Sequence, residues 1–301
     1  MTEAPFLVEC HPVPPSSAGE RLDLFAAREF EHIASRKSAQ KLAKRELLLV
    51  NGEPAAPNHR LQPGESVGLR PDNRPVEPIY NLPVAVIYED SWLAVVNKPA
   101  GIPVSGNYVR TLQRALPASL TPSSLPDALP CPRPVHRLDS PTQGLLLVAK
   151  NARAQVALGH QFEEKAIRKR YRAICLGHLE GEGILTDPVD GRPATTRYQA
   201  VIHTPSVTTE WVTTVDLYPQ TGRTHQLRRH LADLGHPILG DKQYTDGKVL
   251  RGKGLFLAAL ALAFHHPEDH RPLHVELPEP AKFASLRNRE QRRWNVLKPE
   301  Q

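Results

Sequence analysis

Three short stretches of this chain hold side chains whose types and spacing suit nucleophilic or acid–base chemistry. The first is His136-Arg137-Leu138-Asp139, followed by Ser140-Pro141-Thr142-Gln143-Gly144. Gly144-Leu145-Leu146-Leu147-Val148 is a continuous apolar run, the mark of a strand covered on both faces. Asp139 is therefore expected in a turn feeding a buried sheet, where a carboxylate can be held against a substrate. The plainer role for such an aspartate is to cap a backbone amide. The second stretch is Lys169-Arg170-Tyr171-Arg172. Its cations could hold phosphates or lower a phenol pKa, although tyrosine also suits a half-buried strand for packing reasons alone. The third runs Thr221-Gly222-Arg223-Thr224-His225-Gln226-Leu227-Arg228-Arg229-His230. Gly222 breaks a strand, and a helix is expected over Arg223–Leu234, closed by Gly235. Arg223 and Thr224 would then sit in the first turn, where free amides attract anions, with Arg228 one turn above. A structural arginine paired to a carboxylate is the plainer reading.

The elements that must position these residues can be read from periodicity. Val84–Tyr88 and Trp92–Val96 read as strands around the turn Glu89-Asp90-Ser91. Residues 117–134, rich in Pro and Ser, read as a long loop. After the apolar run a helix should place Ala152, Val156, Gly159 and Ala166 on one side. Tyr171, Ala173 and Cys175 alternate along a strand, and Trp211, Thr213, Val215 and Leu217 along a longer one.

The N-terminal part reads as a separate unit. Residues 1–20 look irregular, Leu22 to Phe30 helical, and Ser35 occupies an N-cap position before a second helix. On that helix Lys37, Lys41 and Lys44 share one face, and Ala39, Leu42 and Ala43 the other. Leu47–Val50, the turn Asn51-Gly52 and Glu65–Leu69 read as short strands and a hairpin. Arg70-Pro71-Asp72-Asn73-Arg74-Pro75 reads as a linker, giving units of residues 1–75 and 76–301. Basic and acidic residues balance over the first of these, so any attraction for an anion there must be local.

Composition narrows the function classes. Thirty prolines in 301 residues predict many turns and irregular connections. A net charge of +6 permits nucleic acid as a partner without demanding it. Three widely separated cysteines, one necessarily unpaired within the chain, fit a reducing cytoplasm. The start shows no secretory signal, and no apolar stretch approaches the ~18 residues of a membrane span. Fourteen histidines invite a metal centre, but no His-Glu-x-x-His, Cys pair or compact carboxylate cluster accompanies them, so no metal is expected.

Taken together these stretches resemble the RluA family of RNA pseudouridine synthases, from about Tyr88 to Pro280. The likeness rests on Tyr88-Glu89-Asp90 through Asn97-Lys98-Pro99-Ala100-Gly101, His136-Arg137-Leu138-Asp139 with Thr142 and Gly144, Lys169-Arg170-Tyr171, and Gly222 to Arg228 with Leu234–Ile238 and Gly240-Asp241. Four blocks in the family's order are specific where any one is weak. Gln143 departs from the family's usual serine, and the loop before His136 is unusually Pro-rich. Residues 20–70 resemble an S4-like RNA-binding module through Arg21-Leu22-Asp23, Ser35-Arg36-Lys37-Ser38-Ala39 and Val50-Asn51-Gly52.

The resemblance implies an α+β fold, a central mixed or antiparallel sheet with helices outside and a small N-terminal α/β module. It implies isomerisation of uridine to pseudouridine in structured ribosomal or transfer RNA, without cofactor, by a monomer. Asp139 would be the nucleophile, ion-paired with Arg228. Tyr171 would pack against the uracil and could take the proton from its carbon 5. Arg137 would help hold the base out of its stack. His136, Arg223, Thr224, His225 and Gln226 complete the substrate-binding set, and Arg36, Lys37, Lys41 and Lys44 meet RNA phosphates. A non-catalytic RNA-binding protein retaining both modules is the alternative.

Overall fold

The apolar run after Asp139 becomes the strand on which the larger unit is built. In the computed structural model, which describes residues 9–31, 33, 35–71, 78–245 and 254–297, every residue from Gly144 to Asn151 is buried. The chain divides into two compact units, Met1–Glu77 and Pro78–Gln301.

In the smaller unit, β1 (Glu9–Pro12), α1 (Leu22–Glu29), α2 (Arg36–Lys44), β2 (Leu48–Val50), β3 (Glu53–Pro54) and β4 (Ser66–Leu69) follow in order. The strands form an antiparallel sheet, β1-β4-β2-β3. Asn51 and Gly52 both take positive φ (52° and 87°), the geometry of a two-residue hairpin turn between β2 and β3. The Ser35 hydroxyl caps α2 by accepting from the Ser38 amide at 3.2 Å. Ala39 and Ala43 face a core with Phe25, Phe30, Leu48 and Val67. Residues 9–12, expected to be irregular, instead pair with β4. Of the expected linker, residues 72–75 lie outside the described residues.

The larger unit contains β5 (Ala85–Glu89), β6 (Leu93–Lys98), α3 (Leu112–Ala115), β7 (Ala128–Pro134), β8 (Gln143–Asn151), α4 (Ala152–Glu163), β9 (Arg168–Leu176), β10 (Glu182–Leu185), β11 (Thr196–Ser206), β12 (Glu210–Pro219), α5 (Gln226–Asp233), β13 (Leu257–His265), β14 (Pro272–Glu276) and α6 (Ala281–Leu297). Its ten-stranded sheet runs β10-β11-β12-β9-β13-β8-β6-β5, with β14 on β13 and β7 on β8. Among the described residues only β8 and β13 pair in parallel, so the fold is α+β with a mixed sheet, as expected.

Two local expectations change. The stretch read as a loop ends in β7, despite prolines 130, 132 and 134. Proline is tolerated because β7 pairs only with β8 and its register is broken between Ala128 and Arg133. On α4 the buried residues are Ala154 and Leu158, not the Ala152, Val156 and Gly159 stripe, and Ala166 lies beyond the helix.

Candidate active site

Asp139 sits in the turn between β7 and β8, closed by the Thr142 amide donating to the Asp139 carbonyl at 3.0 Å. Two features hold that turn. The Lys98 ammonium, fully buried at the end of β6, donates to the carbonyls of Pro99, Ile102 and Ser140 at 2.9, 2.8 and 3.1 Å. Burial brings its pKa down to about 8, against the opposing pull of the Asp139 charge. Opposite Lys98 in the ladder stands Gly144, with φ at +122°. A Cβ there would lie 2.1 Å from the Ala259 carbonyl oxygen. Only glycine lets β8 cross β13 this closely, and that crossing sets the Asp139 turn against the strand next to β9.

Arg228 reaches Asp139 from α5. Its Nη1 lies 3.6 Å from Asp139 Oδ2. Its stronger bonds go elsewhere: Nε and Nη2 donate to the Asp241 carboxylate at 2.6 and 2.8 Å. Asp241 is buried, which favours its neutral form, but the Arg228 hydrogen bonds and the Gln243 amide outweigh this and hold its pKa low. Arg228 is thus braced by one carboxylate while it faces another. Asp241 was visible in the sequence only as part of a family motif, because nothing local links residue 228 to residue 241.

His225 occupies the position just before α5 in a left-handed conformation (φ 56°). Its Nδ1 is 2.9 Å from the Tyr244 hydroxyl and its Nε2 3.9 Å from Asp139 Oδ1. Burial lowers its pKa. The helix therefore starts at Gln226, not Arg223, and the expected placing of Arg223 and Thr224 in a helical first turn does not hold. The Gln226 side chain explains why. Its carbonyl accepts from Thr221 Oγ1 (2.7 Å) and the Arg223 amide (3.0 Å), and its amide donates to Thr195 O (3.0 Å) and Thr196 Oγ1 (2.9 Å). All four of its hydrogen-bonding positions are used within the protein, so Gln226 braces the Gly222 loop rather than offering a group to a ligand. Arg223 and Thr224 are exposed at the cavity rim, with Arg223 Nε on the Pro193 carbonyl at 3.1 Å.

Tyr171 is buried on β9 and lines the same cavity of about 310 Å³ as Asp139, Arg137, His225 and Arg228. Val135, Phe162 and Leu257 give that cavity apolar walls. Burial and the Asp139 charge push the Tyr171 phenol well above its usual pKa. His136 also lines it, but its Nε2 accepts from the Leu147 amide at 2.9 Å. Its ring is therefore neutral, and burial and nearby Lys169 push its pKa down to about 3. Arg137 is exposed. Together with Asp139, His225 and Arg228 it also lines a second cavity of about 620 Å³, which includes Lys242. Asp139 thus stands in a wall common to two cavities, both lined by Arg137, His225 and Arg228.

In the smaller unit Lys37, Lys41 and Lys44 are exposed on α2. Arg36 is drawn to Asp23 at 3.1 Å. Asp23, fully buried, also accepts from Arg21 (3.0 Å twice) and Gln40 (2.7 Å). The Arg21 hydrogen bonds hold its carboxyl well below the usual range, against desolvation.

A carboxylate, an arginine and a tyrosine around one cavity define an enzyme class when set beside known proteins. Residues 92–233 match the RNA pseudouridylate synthase family, a segment that includes Asp139, Tyr171 and Arg228. An Aquifex aeolicus (strain VF5) protein named "Uncharacterized RNA pseudouridine synthase" is 34% identical over 297 residues, covering 89% of this chain and 92% of that protein. "Ribosomal large subunit pseudouridine synthase D" of Xanthomonas campestris pv. campestris is 33% identical over 306 residues, covering 91% and 90%. The solved structure of "Human RNA Pseudouridylate Synthase Domain Containing 1" superposes with a TM-score of 0.56 at 28% identity, covering 68% of this chain and 87% of that one. The chain belongs to the RluA family of RNA pseudouridine synthases. It is an isomerase acting on uridine in RNA.

Proposed function

We propose that the chain modifies ribosomal RNA of the large subunit, with Asp139 as nucleophile. Relatives carrying the ribosomal name at 33% identity over nine-tenths of the chain support the substrate. The observation that carries the chemistry is Asp139 in the cavity wall, 3.6 Å from Arg228 and 3.9 Å from His225, with Tyr171 lining the same pocket.

The reaction breaks the bond from ribose C1′ to N1 of uracil, makes one from C1′ to C5, removes the C5 proton and returns one to N1. Atoms and electrons balance without an outside reagent. Attack on either the base or the sugar needs an ionised carboxylate. Arg228, itself fixed by Asp241, keeps a cation beside Asp139 without neutralising it in a tight pair. Tyr171 packs against the uracil as a neutral phenol. To accept the C5 proton it must pass on its own, and Asp139, once its bond to the base or sugar has broken, takes that proton and is a carboxylate again when N1 has gained one through solvent. Arg137, at the boundary of the two cavities, keeps the extruded base from returning to its stack. His136, Gln226 and Lys98 position these groups. Arg223, Thr224 and His225 meet the substrate at the rim.

The smaller unit is an S4-like RNA-binding module whose Lys37, Lys41 and Lys44 face meets phosphates, while Arg36 is committed to Asp23. All the site residues come from one chain, so a monomer suffices, and the three free thiols suit a cytoplasmic setting. Mapping pseudouridines in total RNA from cells with and without this protein tests the reading. Loss of one or more sites in large-subunit ribosomal RNA is expected, and an unchanged map overturns it.

A further inference from the structure

Strand β9 sorts its cations by parity. Side chains alternate across a sheet, so Arg170 and Arg172 point one way and Lys169 and Tyr171 the other. Arg170 and Arg172 are both ion-paired. Asp216 accepts from Arg170 at 3.2 Å and from Arg172 at 2.7 and 2.9 Å, and Glu276 and Glu279 extend the network. Lys169 is different. It lines the same cavity as Tyr171, its ammonium 6.0 Å from the centre of the Phe162 ring. Among the described residues it has no hydrogen-bond acceptor and no carboxylate partner. A half-buried cation without an acceptor is costly, and the cavity is where a partner must arrive.

We propose that Lys169 donates a hydrogen bond to a carbonyl oxygen of the target uracil and so reads the base within the cavity. This rests on the cavity being the uracil site. The bonds that change lie at N1 and C5 of the ring, which must meet Asp139 and the ribose. For C5 to take the place of N1, the base turns half a circle about the axis through N3 and C6. That turn exchanges O2 with O4. A donor fixed beside one carbonyl before the turn meets the other after it, so one ammonium serves both substrate and product. Cytosine has an amino group at position 4 and cannot satisfy such a donor in both orientations. Lowering of the Lys169 pKa by burial fits a group whose acceptor comes from outside the protein. The neutral His136 ring nearby adds no competing charge.

The test uses the full chain and a ribosomal RNA fragment around the mapped site, carrying uridine, 2-thiouridine or 4-thiouridine at that position. Sulfur is a weaker acceptor than oxygen. Single-turnover conversion by the wild type should be slowed by at least one thio substitution. Lys169→Met should convert the uridine fragment about 10- to 100-fold more slowly, the value of a hydrogen bond to a charged donor. It should lose the sensitivity to sulfur, and Lys169→Arg should regain part of the rate. Equal conversion by Lys169→Met, or an undiminished sulfur effect in it, overturns the inference and leaves the synthase reading intact. Should Lys169→Met unfold, the sulfur effect in Lys169→Arg and the wild type decides, and no effect of either sulfur on the wild type overturns the inference. A wild type that converts no uridine in any fragment overturns the reading itself, and the inference with it.

Discussion

Arg228 shows how a single residue can be shared between holding and acting. Its two short bonds go to Asp241, and its third arm faces Asp139 at 3.6 Å. Removing Asp241 should therefore cost activity although Asp241 itself meets no substrate. Asp241→Asn is expected to lower the single-turnover rate by about tenfold or more, as a lost charge-assisted bond would, while RNA affinity in a filter-binding assay stays near wild type. The same scale holds a pH prediction. His136 is neutral in the fold with a pKa of about 3, and in the unfolded chain it takes a proton near pH 6.5. Its contribution to stability is complete above pH 6.5 and is lost as pH falls towards 3. Urea unfolding at pH 7 and pH 5 should show a loss in the wild type that is smaller in His136→Gln, by about 1–2 kcal/mol.

At the scale of elements, the site depends on how closely β8 approaches β13. Gly144→Ala brings a Cβ to 2.1 Å from a backbone oxygen at a φ of +122°. Destabilisation of about 2–5 kcal/mol is expected, read as a lower denaturant midpoint in circular dichroism. Much of this architecture was legible. Leu145 to Val148 read as a doubly covered strand because nothing polar interrupts them. Ser35, Asn51-Gly52 and Gly235 marked a cap, a turn and a helix end because each has a local backbone preference that context did not override. The failures have physical causes too. β7 hid behind prolines that only a sparsely paired strand tolerates. The start of α5 differs from the expectation because His225 is left-handed and Gln226 is held by Thr195 and Thr196, far away in sequence. Asp139, Tyr171 and Arg228 were legible as motif members, but the bracing by Asp241 and the turning of Lys169 into the cavity needed the fold.

For the whole molecule, the proposed roles fall on two compact units. No helix among the described residues is long and apolar enough to cross a membrane. If the Lys37, Lys41 and Lys44 face meets phosphates, replacing all three by alanine should weaken binding of large-subunit ribosomal RNA. It should also reduce the slope of log affinity against log salt by about two for a single-stranded contact. The conversion rate of RNA already bound should be unchanged.

The central claim is that the Asp139 carboxylate performs the isomerisation. The direct measurement is tritium release from large-subunit ribosomal RNA labelled at uridine C5, comparing the wild type with Asp139→Asn at saturating protein. The wild type should release tritium while Asp139→Asn releases none and binds the RNA as tightly. Release by Asp139→Asn at the wild-type rate would contradict the account.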